Sequence, residues 1–455
     1  MHLLVSFLLF ALVSLFNEGF LGTDEYWNAI IRYIPAQEKS AATIIPDDDV
    51  KSPLQVLPMH FAAQTALALG IESPYWQYRF VVAVIGILSA TLILMGWSQI
   101  FPKPDERSLG LWALVLHFPS LFAYTRPMFE SLSAPWLVLT AAQLMAYDRD
   151  RKLKQILLAT TFVSTAFMLR QQTGICALAV IIAALWHRQW FHALGAAFLG
   201  LGLFLVLGIP DLFLRGEFHY SLKSVLLYNV AHGHEYGNQP IWTYFVMLPA
   251  AFFFPWFIHR WPTGFWRQTG QRFRWPLLMT AFFVFLHSLF PQKFERFMIP
   301  ILPLLLMAFV PALQVMWHQG RKIRLATLAT VNLVLLIPAA TSPAQKNLIE
   351  LSQWFDANPE IRRAYRIDRN PEWITEAFIR GEKLIWIDVS EDQLPEKLEP
   401  HDSLVLSESN YLRLSHRLPA HRVRGKFSVN LIESLAYKLN PKKNHRRQAY
   451  VLLTL

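Results

Sequence analysis

The sequence predicts a polytopic α-helical membrane protein of about eleven transmembrane helices with a small C-terminal α/β soluble domain. Three observations carry that expectation. Charged residues make up only 16% of the 455-residue chain, 54% is hydrophobic and the mean hydropathy is +0.29; soluble domains hold about a quarter charged residues. Apolar runs of about 18 residues, long enough to cross a bilayer, recur along the first three quarters of the chain. After Ala340 the composition turns, and residues 351–455 carry 17 Lys/Arg against 14 Asp/Glu, as a soluble domain would.

The first run, "HLLVSFLLFALVSLF" at residues 2–16, lacks a basic leading region and a small-residue cleavage site, so it reads as a retained transmembrane helix rather than a signal peptide. The apolar segments fall near 2–20, 79–100, 109–124, 131–147, 155–169, 174–187, 191–209, 241–258, 276–290, 297–316 and 323–341. The connecting loops alternate in charge. "FPKPDERS", "DRDRKLK", "HRQ", "RWPTGFWRQTGQRFR" and "QGRKIR" hold 14 Lys/Arg together, whereas the short loops "TRP", "LRQQTG" and "PQKFERF" hold four. The positive-inside rule puts the first set in the cytoplasm and the second outside.

A membrane domain over 1–342 and a small extracytoplasmic α/β domain over 343–455 follow, with long external loops at about 21–77 and 210–240. In the first loop Trp27, Ile30, Ile31 and Ile34 recur at helical spacing. A second helix starts after Pro53 and runs to about Leu69; both suit helices lying on a membrane surface. In the C-terminal domain "KLIWIDV", "DSLVLSES", "RVRGKFSV" and "QAYVLLTL" read as strands and "NPEWITEAFIR" as helical.

The formal charge of +10 does not point to nucleic acid, because no basic helix or aromatic-interleaved motif accompanies it. The single cysteine, Cys176, excludes an intramolecular disulfide and a thiolate metal cluster. No Asn-x-Ser/Thr sequon occurs, which favours a bacterial source over the secretory pathway.

Charged residues beside lipid are expensive and so stand out. Asp24 and Glu25 follow Thr23, and an acidic first turn capped by threonine is an ordinary helix start. Arg126 and Glu130 in "TRPMFESL" stand four apart, as a helix-capping pair would. Arg170, Gln171 and Gln172 end another span, where an arginine commonly anchors at the interface. Lys293 and Arg296 in "PQKFERF" run against the positive-inside bias on an external loop, and a phosphate-bearing ligand would account for them. In "NVAHGHEYGNQPIWTYF", His232, His234 and Glu235 are poorly spaced for a metal, so this stretch with Tyr236 reads as a substrate-side loop. "PDDDVK" at 46–51 reads as a solvated turn rather than a cation site. The charge-derived topology puts Asp24/Glu25, Arg126, Arg170, Lys293 and the 229–240 loop on one external face. A carboxylate base with several cations suits group transfer from an anionic lipid carrier.

These motifs also resemble a family. "TDEYW" resembles "HPDEYFQ" of the lipid-phosphate-mannose-dependent mannosyltransferases, the group that includes the GPI and N-glycan mannosyltransferases. "HSLFPQKFERFMIPILP" is similar to that family's "HSLLPHKEFRFILPILP", "TRPMFESL" to its "TR…SE.LE", and "EYGNQPIWTYF" to its "FYGTHPWHWY". The set appears in order over residues 17 to about 310 and does not reach the C-terminal domain. Gly22-Thr23 replace the family's His-Pro, Gln292 its histidine, Phe294-Glu295 its Glu-Phe, and "NQPI" its "THPW". These departures bear on donor sugar and acceptor more than on the reaction type.

The resemblance implies a GT-C glycosyltransferase that moves a hexose, mannose in the family, from a polyprenyl-phosphate sugar to a hydroxyl on a glycan or glycolipid acceptor. Transfer would be inverting, on the extracytoplasmic face of a bacterial inner membrane, or on the lumenal face of the ER if the source is eukaryotic. Asp24 would be the general base and Glu25 would orient acceptor or donor. Lys293, Arg296 and Arg170 would bind the donor phosphate, and Arg126, Glu130, Gln171, His232 and Tyr236 the substrates. Such cations can support phosphate departure, so no cofactor and no metal are expected. Membrane lipids are the other expected partners, and nucleic acid is not one. The competing class is a transporter or flippase of a lipid-linked anionic saccharide, which would more naturally show paired broken helices in two repeated halves.

Overall fold

The structure, a computed structural model, describes residues 1–20, 25, 52–233, 235, 237–257, 265–341, 344–367, 369–371, 374–380, 384–394, 398–418, 421–441, 444 and 447–454. Asp24, His234, Tyr236, the "PDDDVK" turn and the Trp27–Ile34 pattern lie outside the described residues. The chain divides into two compact units. One comprises Met1–Phe16, Lys39–Ala62 and Val81–Ala340, and the other Asn17–Glu38, Ala63–Phe80 and Thr341–Leu455.

The helices used below are α1 (His2–Phe16), α2 (Pro53–Ala68), α3 (Pro74–Ile100), α4 (Pro104–Leu116), α5 (Phe118–Ala123), α6 (Phe129–Asp150), α7 (Leu153–Leu169), α8 (Ala177–Trp186), α9 (Trp190–Arg215), α10 (Tyr220–His232), α11 (Thr243–Met247), α12 (Arg274–Leu289), α13 (Leu302–Met307), α14 (Val310–His318) and α15 (Lys322–Thr341). Pro74–Ile100, Trp190–Arg215, Glu295–His318 and Lys322–Thr341 are the four described helices long and apolar enough to cross a membrane; five apolar helices of 10–17 residues are shorter than that.

Each of the eleven apolar segments is mainly helical where described, but several are not single straight rods. Segment 109–124 breaks at His117, whose backbone is extended, and Pro119 starts the next helix. The His117 ring fixes the break: Nε2–H donates to the Phe252 carbonyl at 3.0 Å, and Nδ1 accepts from the Ser120 hydroxyl at 2.7 Å. Phe252 ends a π-helical turn, Leu248–Phe252, within segment 241–258. Segment 297–316 begins as a 3-10 turn, Glu295–Ile301. The 210–240 stretch is also not all loop, since α9 runs through Pro210 to Arg215 and α10 follows.

Two residues, Arg151 and Lys152, join α6 to α7, so these helices form an antiparallel pair. Asp148, near the end of α6, accepts from His187 Nε2 and from an Arg274 guanidinium, each at 2.8 Å. Glu106 on α4 receives both arms of Arg272 at 2.9 and 2.7 Å, the bidentate geometry that makes such pairs specific. Close helix contact at the other end of this unit depends on Gly86 of α3. A Cβ there would lie 2.2 Å from Ser14 Oγ on α1, 2.9 Å from its Cβ and 3.3 Å from the Thr125 Cα. Gly86→Val is therefore expected to cost about 1–3 kcal/mol through overpacking. A lowered Tm in detergent would show it, and an unchanged Tm would refute the contact.

In the second unit five strands, β1 (Arg363–Ile367), β2 (Ile385–Val389), β3 (Asp402–Ser407), β4 (Arg422–Phe427) and β5 (Tyr450–Thr454), form a mixed sheet in the order β2-β1-β3-β5-β4. β1 is parallel to β2 and β3, while β5 runs antiparallel to β3 and β4. Leu348, Leu351 and Phe355 of α16 (Lys346–Ala357) cover one face with Ala364, Val405 and Leu452. Ile367, Leu404, Leu406 and Leu453 form the core on the other. β1 escapes a pattern search because Arg363 and Arg366 interrupt it. The neighbouring strands supply their counter-charges, Asp402 at 2.7 Å and Asp388 at 2.6 Å. A final helix, α17 (Leu431–Leu439), precedes β5.

Candidate functional site

Three of the charged residues singled out in the first unit, Glu130, Arg170 and Arg296, meet at one end of the α6–α7 pair. Glu130 lies in the first turn of α6, and Arg170 is the residue at which α7 stops. Both positions suit the helix dipoles, an acid at an N-terminus and a cation at a C-terminus. Arg170 turns extended, at φ −144° and ψ 100°, and its carbonyl accepts from Thr173 N–H and Oγ1–H. Just before it, the Leu169 carbonyl accepts from Gln55 Nε2 at 3.0 Å, which ties the start of α2 to this corner.

Glu130 Oε1 lies 3.2 Å from the Arg170 guanidinium and 4.0 Å from that of Arg296. The side chains keep only 9%, 14% and 20% exposure, so the group is mostly out of water. The Phe297 ring sits 5.2 Å from the Arg170 guanidinium carbon and 5.4 Å from that of Arg296, within cation–π range of both. Lys293, on the same loop as Arg296, is buried and donates to the carbonyls of Gln239 at 3.0 Å and Phe290 at 2.6 Å. Gln239 N–H in turn donates to the Pro291 carbonyl at 3.0 Å. Two motifs some fifty residues apart in sequence, "GNQP" and "FPQKFER", are thus stapled together. Burial holds the Lys293 pKa below the ordinary lysine value. Among the described residues of this corner and its adjoining loop, Arg170, Arg296 and Lys293 accompany the buried carboxylate of Glu130, with Glu295 exposed.

A cavity of about 510 Å³ runs beside α7 from Thr160 to Phe167 and on to Gln171 and Gln172. Small residues on the facing helices, Ala177, Ala196 and Gly200, leave the space open. Its lining is mainly apolar; of its polar members Thr160, Ser164, Gln171 and Gln172, the two glutamines immediately follow Arg170.

The other predicted residues fall as follows. Arg126 is buried in the turn before α6, with its guanidinium 5.5 Å from the Phe122 ring. His232 ends α10 at the surface, where Nδ1 contacts Glu235 at 2.8 Å. Among the described residues no three His, Cys, Asp or Glu side chains gather as metal ligands would. Glu25 belongs to the second unit, where it is helical and buried, 4% exposed.

Sequence reasoning missed three aromatic residues. Phe297 underlies both guanidiniums, and Tyr244 is fully buried with its ring 6.5 Å from that of His287. His287 directs Nδ1 to the Phe283 carbonyl at 2.8 Å, which leaves Nε2 buried with no hydrogen-bond partner among the described residues. The sequence signal was "HSL", a polar pair inside an apolar run that opens the family-like motif.

A sequence profile of the Alg9-like mannosyltransferase family matches residues 5–370. Two solved structures share the fold: ArnT from Cupriavidus metallidurans bound to undecaprenyl phosphate, and the same protein in its apo state. Each superposes with a TM-score of 0.60 at 15% identity, over 99% of this chain and 97% of that one. No curated protein sequence matches the chain.

Proposed function

The chain belongs to the Alg9-like mannosyltransferase family and is a GT-C membrane glycosyltransferase; from that premise we propose that it transfers a hexose, mannose, from a polyprenyl-phosphate sugar to a hydroxyl of a glycan or glycolipid. Membership of an enzyme family sets aside the transporter reading. The observation that carries the donor assignment is the pairing of Arg170 and Arg296 at Glu130, with Lys293 on the Arg296 loop and an apolar cavity that begins at Gln171, next to Arg170. An anionic head joined to an isoprenoid tail has that same division. ArnT, a protein of like fold, is known bound to undecaprenyl phosphate.

In this mechanism the acceptor oxygen attacks C1 of the sugar, the C1–O bond to phosphate breaks, and Asp24 takes the hydroxyl proton. Polyprenyl phosphate leaves with its charge matched by Lys293, Arg296 and Arg170, preorganised where that charge develops. Glu25 orients the acceptor or the donor loop, and Arg126, Glu130, Gln171, His232 and Tyr236 complete substrate binding. The anomeric configuration inverts, the site faces the extracytoplasmic side of a bacterial inner membrane, and no metal takes part. Membranes supplied with defined polyprenyl-phosphate sugars should add one hexose mass to the acceptor, undiminished by EDTA. Transfer from nucleotide sugars alone would overturn the reading.

The buried lysine makes a second test. The reaction needs the ammonium form, which is lost as pH rises through a pKa that burial has lowered. The pH profile of kcat/KM is therefore expected to fall on its alkaline side below the ordinary lysine range. Lys293→Arg, charged throughout, should move that limb upward; an unmoved limb would remove Lys293 from the phosphate site.

A further inference from the structure

The helix α17 turns its polar side inward. Glu433 is buried at 8% exposure, and both its carboxylate oxygens accept from the Gln345 N–H, at 3.0 and 3.1 Å. At about 100° per residue, Leu431, Ile432, Leu435 and Leu439 gather on an arc roughly 100° wide on the opposite side. These four residues are 73%, 51%, 51% and 86% exposed. Ordinary amphipathic helices of soluble domains have the reverse arrangement, with leucine inward and carboxylate outward.

The charge on the helix and in the sequence that follows it says what covers this face. Lys438 is exposed beside it, and the sequence continues "NPKKNHRR", adding Lys442, Lys443, Arg446 and Arg447. No acidic residue follows Glu433 to the end of the sequence. An apolar helical stripe with a dense, acid-free basic run is the composition that binds anionic lipid surfaces, the stripe entering the acyl boundary and the cations meeting headgroup phosphates. The same chain carries bilayer-crossing helices, so tethering keeps α17 at a high effective concentration near lipid. We propose that α17 and the basic segment after it dock on the anionic phospholipid surface of the bilayer that holds the protein. This inference is independent of the donor assignment.

Cys176 is the one cysteine and is buried, so a Leu435→Cys variant of the full chain can be labelled at that position alone. An environment-sensitive dye there is read in nanodiscs of phosphatidylcholine with or without phosphatidylglycerol, each carrying nitroxide on some acyl chains. Phosphatidylglycerol is expected to blue-shift the emission and raise nitroxide quenching more than about twofold. Lys442→Glu with Lys443→Glu should abolish that gain in the labelled protein. A dye that stays in water, equal quenching in charge-free discs, or a blue shift without quenching would each overturn the proposal; the last would mean that protein, another segment or a second copy, covers the face.

Discussion

Asp24→Asn is expected to lower kcat by about 10²–10⁴-fold, the usual worth of a positioned general base. Asparagine keeps the size and most of the polarity of aspartate but cannot take the acceptor proton. The KM for the donor should change little, because the proposed phosphate site consists of other residues, Arg170, Arg296 and Lys293. Expression and Tm should match the parent protein, since an asparagine after Thr23 can still sit in a helical first turn. Steady-state kinetics in membranes or detergent separates these outcomes. A fully active Asp24→Asn enzyme would sink the assignment, and Glu25→Gln would then test the neighbouring carboxylate, which is buried in the second unit.

The second large effect is expected at Glu130. Its carboxylate is the counter-charge shared by Arg170 and Arg296, whose guanidiniums also share the Phe297 ring. Glu130→Ala removes a counter-charge that two like charges share at a site poor in water. Breaking a fully buried pair costs about 3–5 kcal/mol, and the residual exposure of both arginines brings the expectation down to about 2–3 kcal/mol. The guanidiniums then move, and a displacement of about 1 Å is enough to cost about 10²-fold in kcat/KM. Glu130→Gln retains a hydrogen-bond acceptor and should lie between parent and alanine variant in both measures. Equal Tm and equal kcat/KM for Glu130→Ala and the parent would show that the carboxylate organises nothing.

Much of this architecture was legible because a bilayer punishes exceptions. An unbroken apolar run has few other uses, and Glu130, Arg170, Lys293 and Arg296 were conspicuous as charges flanking such runs. Their convergence was not legible in the same way. The 3-10 turn after Arg170 and the staple between Gln239 and Pro291 are set by backbone geometry that residue type alone does not report. Phe297, Tyr244 and His287 lie within the quoted motifs but were not singled out, for the opposite reason: aromatic residues inside apolar segments look the same whether they fill a core or underlie a cation. The break at His117 depends on a carbonyl 135 residues away, which no local pattern contains. Likewise, the second unit adds Asn17–Glu38 and Ala63–Phe80 to the C-terminal residues, a grouping of segments far apart in sequence.

Near opposite ends of helix α6 stand Glu130 and Asp148, and each gathers two basic groups from later in the chain. Eighteen residues of helix separate them, about 27 Å of rise, close to the ~30 Å hydrocarbon thickness of a bilayer. The helix therefore acts as a ruler between two charged layers.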